Sequence, residues 1–108
     1  MKQYRILYSW SGHTKVVPKD EMSKFRKHLN RLKKLGFRKA KHDYITQPCS
    51  ASYYIANLDD ATIEEAKGIV SEMAKIMDSA IYTLRREHGK KYDLWLDEVI
   101  SIMFHEAL

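Results

Sequence analysis

The chain has 108 residues, 44% of them hydrophobic and 11% aromatic, with 2 Pro and 4 Gly. That is enough apolar surface for one buried core and too few chain breakers for a disordered or fibrous polypeptide. The formal net charge of +5 hides a split: residues 1–42 hold 13 Lys and Arg against 2 Asp and Glu, whereas residues 43–108 hold 6 against 12.

A basic face, and with it an anionic partner, is expected from that split, unless the two halves neutralise each other in the fold. The single cysteine, Cys49, excludes an intrachain disulfide and fits a reducing compartment. No run approaches the ~18 apolar residues of a membrane span. The N-terminal MKQYRILYSW is too poor in apolar residues for a signal peptide. One domain over residues 1–108, soluble and cytoplasmic, is the expectation.

Gln3 to Trp10 alternates as a strand does, with Tyr4, Ile6, Tyr8 and Trp10 on one face and Arg5, Leu7 and Ser9 on the other. Ser11-Gly12 and the run His13–Val17 predict a hairpin partner, which Pro18 ends. Asp20 to Leu35 predicts a helix. Met22, Phe25, Leu29 and Leu32 form its apolar face, Asp20 and Glu21 stand near its start, Lys33 and Lys34 near its end, and Gly36 at C′.

Phe37 to Thr46 and Ala51 to Leu58 predict two more strands around a Gln47–Ser50 loop. The first of them, with Lys39, Lys41 and His42, is polar enough for a sheet edge. Thr62 to Arg86 predicts a long helix, with capping signals at Asp59, Asp60, Thr62 and Glu65. Ile63, Ala66, Val70, Met73, Met77, Ala80 and Leu84 keep a heptad spacing along it. Gly68 lies inside this helix, at a site where close packing is expected.

Asp93 to Leu108 predicts a last helix, apolar around most of its circumference through Trp95, Leu96, Val99, Ile100, Ile102, Met103 and Phe104. The expected fold is α+β, a small antiparallel sheet of three to four strands with helices on one face, in the order ββαββαα. The heptad face and the apolar last helix predict a homodimer through those two helices.

The second element carries the candidate site. At 100° per residue, Lys24, Lys27, Arg31 and Lys34 cluster opposite the apolar face, and Arg38, Lys39 and Lys41 continue the charge. Four cations over ten residues span roughly 15 Å, enough for two or three phosphates, and such contacts position a protein without reading sequence. Lys24, Lys27, Arg31, Lys34 and Arg38 are therefore the expected nucleic-acid-binding residues. The expected partner is DNA or RNA, or an acidic protein surface; an ordinary solvated helix face carries the same pattern.

The strand aromatics Tyr4, Tyr8, Trp10, Tyr44, Tyr53 and Tyr54 fit core packing better than base stacking, because three share one face of the first strand. Other chemistry is thinly represented. His13, His28, His42, His88 and His105 show no metal-ligand spacing, and there is no H-E-x-x-H and no Cys pair. Asp93 and Asp97, one helical turn apart, read as cap and solvated residue. Cys49 reads as a bystander thiol for want of an identifiable base. No catalytic residue, cofactor or metal site is assigned.

Two resemblances give runner-up readings. Ile6-Leu7-Tyr8-Ser9-Trp10-Ser11-Gly12-His13-Thr14 resembles the phosphate-binding loop of the flavodoxin family, with Ser9, Ser11, Gly12 and Thr14 in corresponding places and His13 where Asn is usual. The resemblance implies a flavin phosphate held at a helix N-terminus, yet Pro18 falls where that helix would run. The strand–helix–strand–strand–helix order resembles that of ferredoxin-like small nucleases, which implies a metal-binding Asp at the end of the first strand. Ser9 and Ser11 stand there instead.

The leading expectation is a small non-enzymatic binding protein that contacts nucleic acid through the basic helix. The alternatives are a protein–protein inhibitor or adaptor of the mobile-element type, a small metal-dependent nuclease, or a flavin-binding protein.

Overall fold

The computed structural model describes residues 1–10, 19–41, 52–88 and 100–106. Six elements follow one another in it: β1 (Lys2–Trp10), α1 (Lys19–Lys34), β2 (Arg38–Ala40), β3 (Ser52–Leu58), α2 (Asp60–His88) and β4 (Ile100–Glu106). The strands form one antiparallel sheet in the order β2-β3-β1-β4. A βαββαβ chain with its first and third strands at the centre is the split-βαβ, or ferredoxin-like, plan.

Alternation along β1 sorts the sheet into two faces. Tyr4 and Ile6 are buried among Tyr54, Ala56 and Leu58 of β3 and the apolar sides of both helices. Pairing runs Tyr4↔Ala56 and Ile6↔Tyr54 on one side, Tyr4↔Glu106 and Ile6↔Phe104 on the other. Directly paired residues project to the same face, so the even-numbered residues of β1, β3 and β4 line the face that packs on the helices. Arg5, Leu7, Tyr53, Ile55, Met103 and His105 lie on the opposite face.

Helix α1 begins with Asp20 and Glu21 and ends with Arg31, Lys33 and Lys34, each placed to suit the macrodipole. Phe25, Leu29 and Leu32 are its buried residues. Its C-terminus closes as a Schellman motif. Phe37 N–H donates to Leu32 O (3.2 Å), Gly36 N–H donates to Lys33 O (3.1 Å), and Gly36 takes φ +117°. Phe37 and Leu32 are both buried, which supplies the apolar contact that accompanies the motif.

Helix α2 is capped by Asp59. Thr62 N–H and Thr62 Oγ1–H both donate to Asp59 Oδ1, at 2.8 and 2.7 Å. These bonds hold the Asp59 carboxyl below the usual aspartate range, the side-chain bond more than the backbone one. All seven heptad residues, Ile63 to Leu84, are buried in the chain's own core, with Ile69 and Ile81 beside them. That face lies against α1 and the sheet, so it gives no reason for a second copy to dock along α2. At ~1.5 Å per residue, 29 residues make a rod of roughly 43 Å, close to the 45 Å long axis of the molecule. Among the described residues no helix is long and apolar enough to cross a membrane.

Three expectations need correction. Ile100–Glu106 is a strand, not the end of a terminal helix, so the order ββαββαα does not hold. The apolar residues there pack at period two: Ile102 and Phe104 are half-buried against the core, while Met103 and His105 are exposed. Pairing with β1 supplies the burial that a helix would have needed from a partner. Gly68 marks no close approach, because a Cβ built there meets no atom within 4 Å. The predicted hairpin run 13–17, the Gln47–Ser50 loop and residues 93–99 lie outside the described residues.

The two glycines predict opposite results. Gly68→Ala is expected to raise stability by about 1 kcal/mol, since Ala is the better helix former and has room. Gly36→Ala is expected to lower it by more than about 1 kcal/mol, because the left-handed backbone penalises any Cβ. Urea unfolding of both variants measures the contrast.

Tyr54 predicts the alkaline limit. Burial pushes its phenol up to about 12, helped by the adjoining Tyr8, both as a like charge and as a hydrogen-bond partner. The two rings stack at 6.0 Å. A folded value above the unfolded one means that the folded chain holds this proton longer. The contribution to stability is complete below pH ~10 and disappears as pH rises from there through about 12. Absorbance at 295 nm is expected to show late tyrosine ionisation that Tyr54→Phe removes.

Candidate nucleic-acid interface

Because Phe25, Leu29 and Leu32 anchor α1 to the core, the residues half a turn away must face outward. Lys24, Lys27, Arg31 and Lys34 are all exposed, at the helical spacing of one stripe. Lys24 Nζ lies 3.7 Å from Glu21 Oε1, one turn back on the same helix. Arg31 Nη1 donates to His28 Nδ1 at 3.0 Å. Among the described residues no carboxylate pairs with Lys27, Arg31 or Lys34.

Among the described residues the acidic half of the chain makes no ion pair with this stripe. Its ion pairs Glu64–Lys67 (3.6 Å) and Glu72–Lys75 (3.2 Å) close within α2, and Lys2–Glu106 (3.8 Å) joins two strands. Exposed pairs of this kind contribute little, so Lys24 is hardly withdrawn by Glu21.

The other predicted cations divide between layers. Arg38 pairs with Ile55, and Ile55 with Arg5, which places Arg38 on the sheet face away from the helices. It therefore does not extend the α1 stripe; the sheet separates them. Lys39 pairs with Tyr54 and so belongs to the helix side, and Lys41 is exposed just after β2. Lys33, on the flank of α1, holds its ammonium 5.9 Å from the centre of the Tyr54 ring.

Sequence reasoning overlooked a second cationic row. The pairings Arg38↔Ile55, Ile55↔Arg5 and Arg5↔His105 run straight across all four strands. Arg5 was visible as the odd member of an alternating strand. His105 was hidden by the helical reading of its segment.

The runner-up chemistries find less support. A wholly antiparallel sheet is not the parallel, doubly wound sheet of flavodoxins. The βαββαβ plan is shared by proteins of many functions and says nothing of nuclease activity, and the end of β1 carries buried Ser9 and Trp10 and no carboxylate. Among the described residues no three His, Cys, Asp or Glu side chains gather to hold a metal ion. No protein-family model, curated protein or solved structure matches the chain.

Proposed function

We propose that the chain is a binding protein for nucleic acid, with the outward face of α1 as its backbone contact. One observation supports the reading above others: Lys24, Lys27, Arg31 and Lys34 are exposed in a single stripe, and among the described residues the one ion pair that any of them makes is Lys24 with Glu21, on the same helix. A stripe of this kind meets successive phosphates and releases their counterions, which favours binding irrespective of sequence.

Fluorescence anisotropy with a labelled DNA duplex tests it. Four phosphate contacts correspond to a slope of about −3.6 in log K against log salt, or roughly a 150-fold loss between 50 and 200 mM. Binding that ignores salt, or no binding at 50 mM, removes the proposal.

A further inference from the structure

The sheet face turned away from the helices carries two parallel rows of different chemistry. Arg38, Ile55, Arg5 and His105 form one, crossing the four strands in register. Ala40, Tyr53, Leu7 and Met103 form the next, also in register. Strands ~4.8 Å apart make each row roughly 14 Å long, and two residues of strand separate the rows by about 6.7 Å. The first row is basic, the second apolar with one aromatic ring.

No Asp or Glu lies on this face among the described side chains of the four strands: the remaining odd positions are Gln3, Ser9 and Asn57. Arg38, His105 and Met103 are exposed, Met103 at 56%, while Arg5, Leu7, Tyr53 and Ile55 are half-buried. The Arg5 guanidinium sits 5.9 Å from the Tyr53 ring centroid. Its Nε is buried with no hydrogen-bond partner among the described residues.

We infer that this face is a second, separate site, which takes single-stranded nucleic acid laid across the strands. Phosphates run along Arg38, Arg5 and His105, and bases lie over Tyr53, Leu7 and Met103. The spacing of the rows suits a strand whose backbone and bases travel side by side. Base stacking on an aromatic ring or a guanidinium plane is tolerant of sequence, and the cations follow the backbone. A second copy of the chain fits worse, since pairing this face with itself buries Arg5 and Arg38 with no Asp or Glu among the described residues of the face to meet them. The site stands on the opposite side of the sheet from α1 and does not depend on the α1 reading.

The test uses the full chain and a fluorescein-labelled 12-nucleotide oligo-U RNA, read by anisotropy at 50 mM salt. Tyr53→Ala is expected to weaken binding by between about 5- and 150-fold, the range for loss of one stacked base. Tyr53→Phe, which keeps the ring, is expected to stay within about twofold of the parent. Met103→Glu places a carboxylate at an exposed position in the apolar row and is expected to weaken binding at least tenfold. Far-UV circular dichroism and melting confirm that each variant is folded.

Unchanged affinity in folded Tyr53→Ala and Met103→Glu overturns the inference. So does a dimer in light scattering that Met103→Glu splits, because a second copy then occupies the face. The quadruple variant Lys24→Glu/Lys27→Glu/Arg31→Glu/Lys34→Glu separates the two sites. Oligo-U binding lost there but kept in Tyr53→Ala overturns the sheet site and leaves the helix reading standing. Binding kept there and lost in Tyr53→Ala supports the sheet site.

Discussion

Phe25→Ala is expected to remove about 3–5 kcal/mol of stability, the largest loss from any single substitution argued for this chain. Phe25 is 2% exposed and sits where α1 meets the central strand. Its ring lies edge-on to Tyr8 at 5.0 Å and to Trp10 at 5.2 Å. Truncation loses the transfer energy of the ring, leaves a cavity that the pleated sheet cannot collapse into, and removes two edge-to-face contacts of about 0.5–1.5 kcal/mol each.

Total stabilities of domains are only about 5–15 kcal/mol, so this variant is expected to lie near the edge of folding. Its melting midpoint is expected to fall by roughly 15–25 °C. Phe25→Leu fills most of the space and is expected to lose a third of that or less. Tyr82→Ala, at a 67% exposed position of α2, is expected to change stability by less than about 0.5 kcal/mol. Urea unfolding of the three variants gives the ranking. A Phe25→Ala loss below about 1 kcal/mol would mean that α1 is not held to β1 through this ring.

Much of the fold was legible because its signals are local. The alternation Tyr4, Ile6, Tyr8, Trp10 identifies β1 without knowledge of its neighbours. The end signals of α1 are written in its first turn, at Asp20 and Glu21, and just past its last, at Gly36, where the Schellman bonds of Gly36 and Phe37 realise the C-terminal one. The heptad of α2 was read correctly as one buried face, but not what buries it. A 3.5-residue repeat looks the same whether the partner is another helix or the chain's own sheet and α1.

Ile100–Glu106 shows where local signals stop. The apolar residues between Trp95 and Phe104 satisfy a helical or an alternating pattern, and short apolar runs do not discriminate between the two. What decides is remote: β1 has a second edge, opposite β3, and Tyr4 to Trp10 pair there with Glu106 to Ile100. The two cationic surfaces differ in the same way. The α1 stripe needs only the helical period to be seen. The row of Arg5, Arg38 and His105 needs the register of three strand pairs, and 32 residues separate its first two members in the chain. Arg38 was therefore grouped with its sequence neighbours on α1, although the sheet lies between them.

Reversing the α1 stripe is expected to abolish duplex binding while leaving the fold intact. Lys24→Glu/Lys27→Glu/Arg31→Glu/Lys34→Glu replaces four exposed cations on the side of α1 that buries nothing. Helix propensity changes little, since Lys, Arg and Glu are close on that scale. Some loss of stability is expected from anions in the last turn, where the macrodipole favours Lys34, at about 0.3–1 kcal/mol. Binding responds far more. Each neutralised contact is expected to flatten the salt slope by about 0.9, so Gln at all four positions takes it from about −3.6 towards zero. Glu at all four adds repulsion, and duplex affinity at 50 mM salt is expected to fall more than a hundredfold. Lys67 and Lys75 supply the control. They are as exposed as the stripe but pair with Glu64 and Glu72 on α2, and Lys67→Glu/Lys75→Glu is expected to change affinity less than threefold. Equal losses in the two variants would show that net charge alone drives binding, and the stripe on α1 would lose its special role.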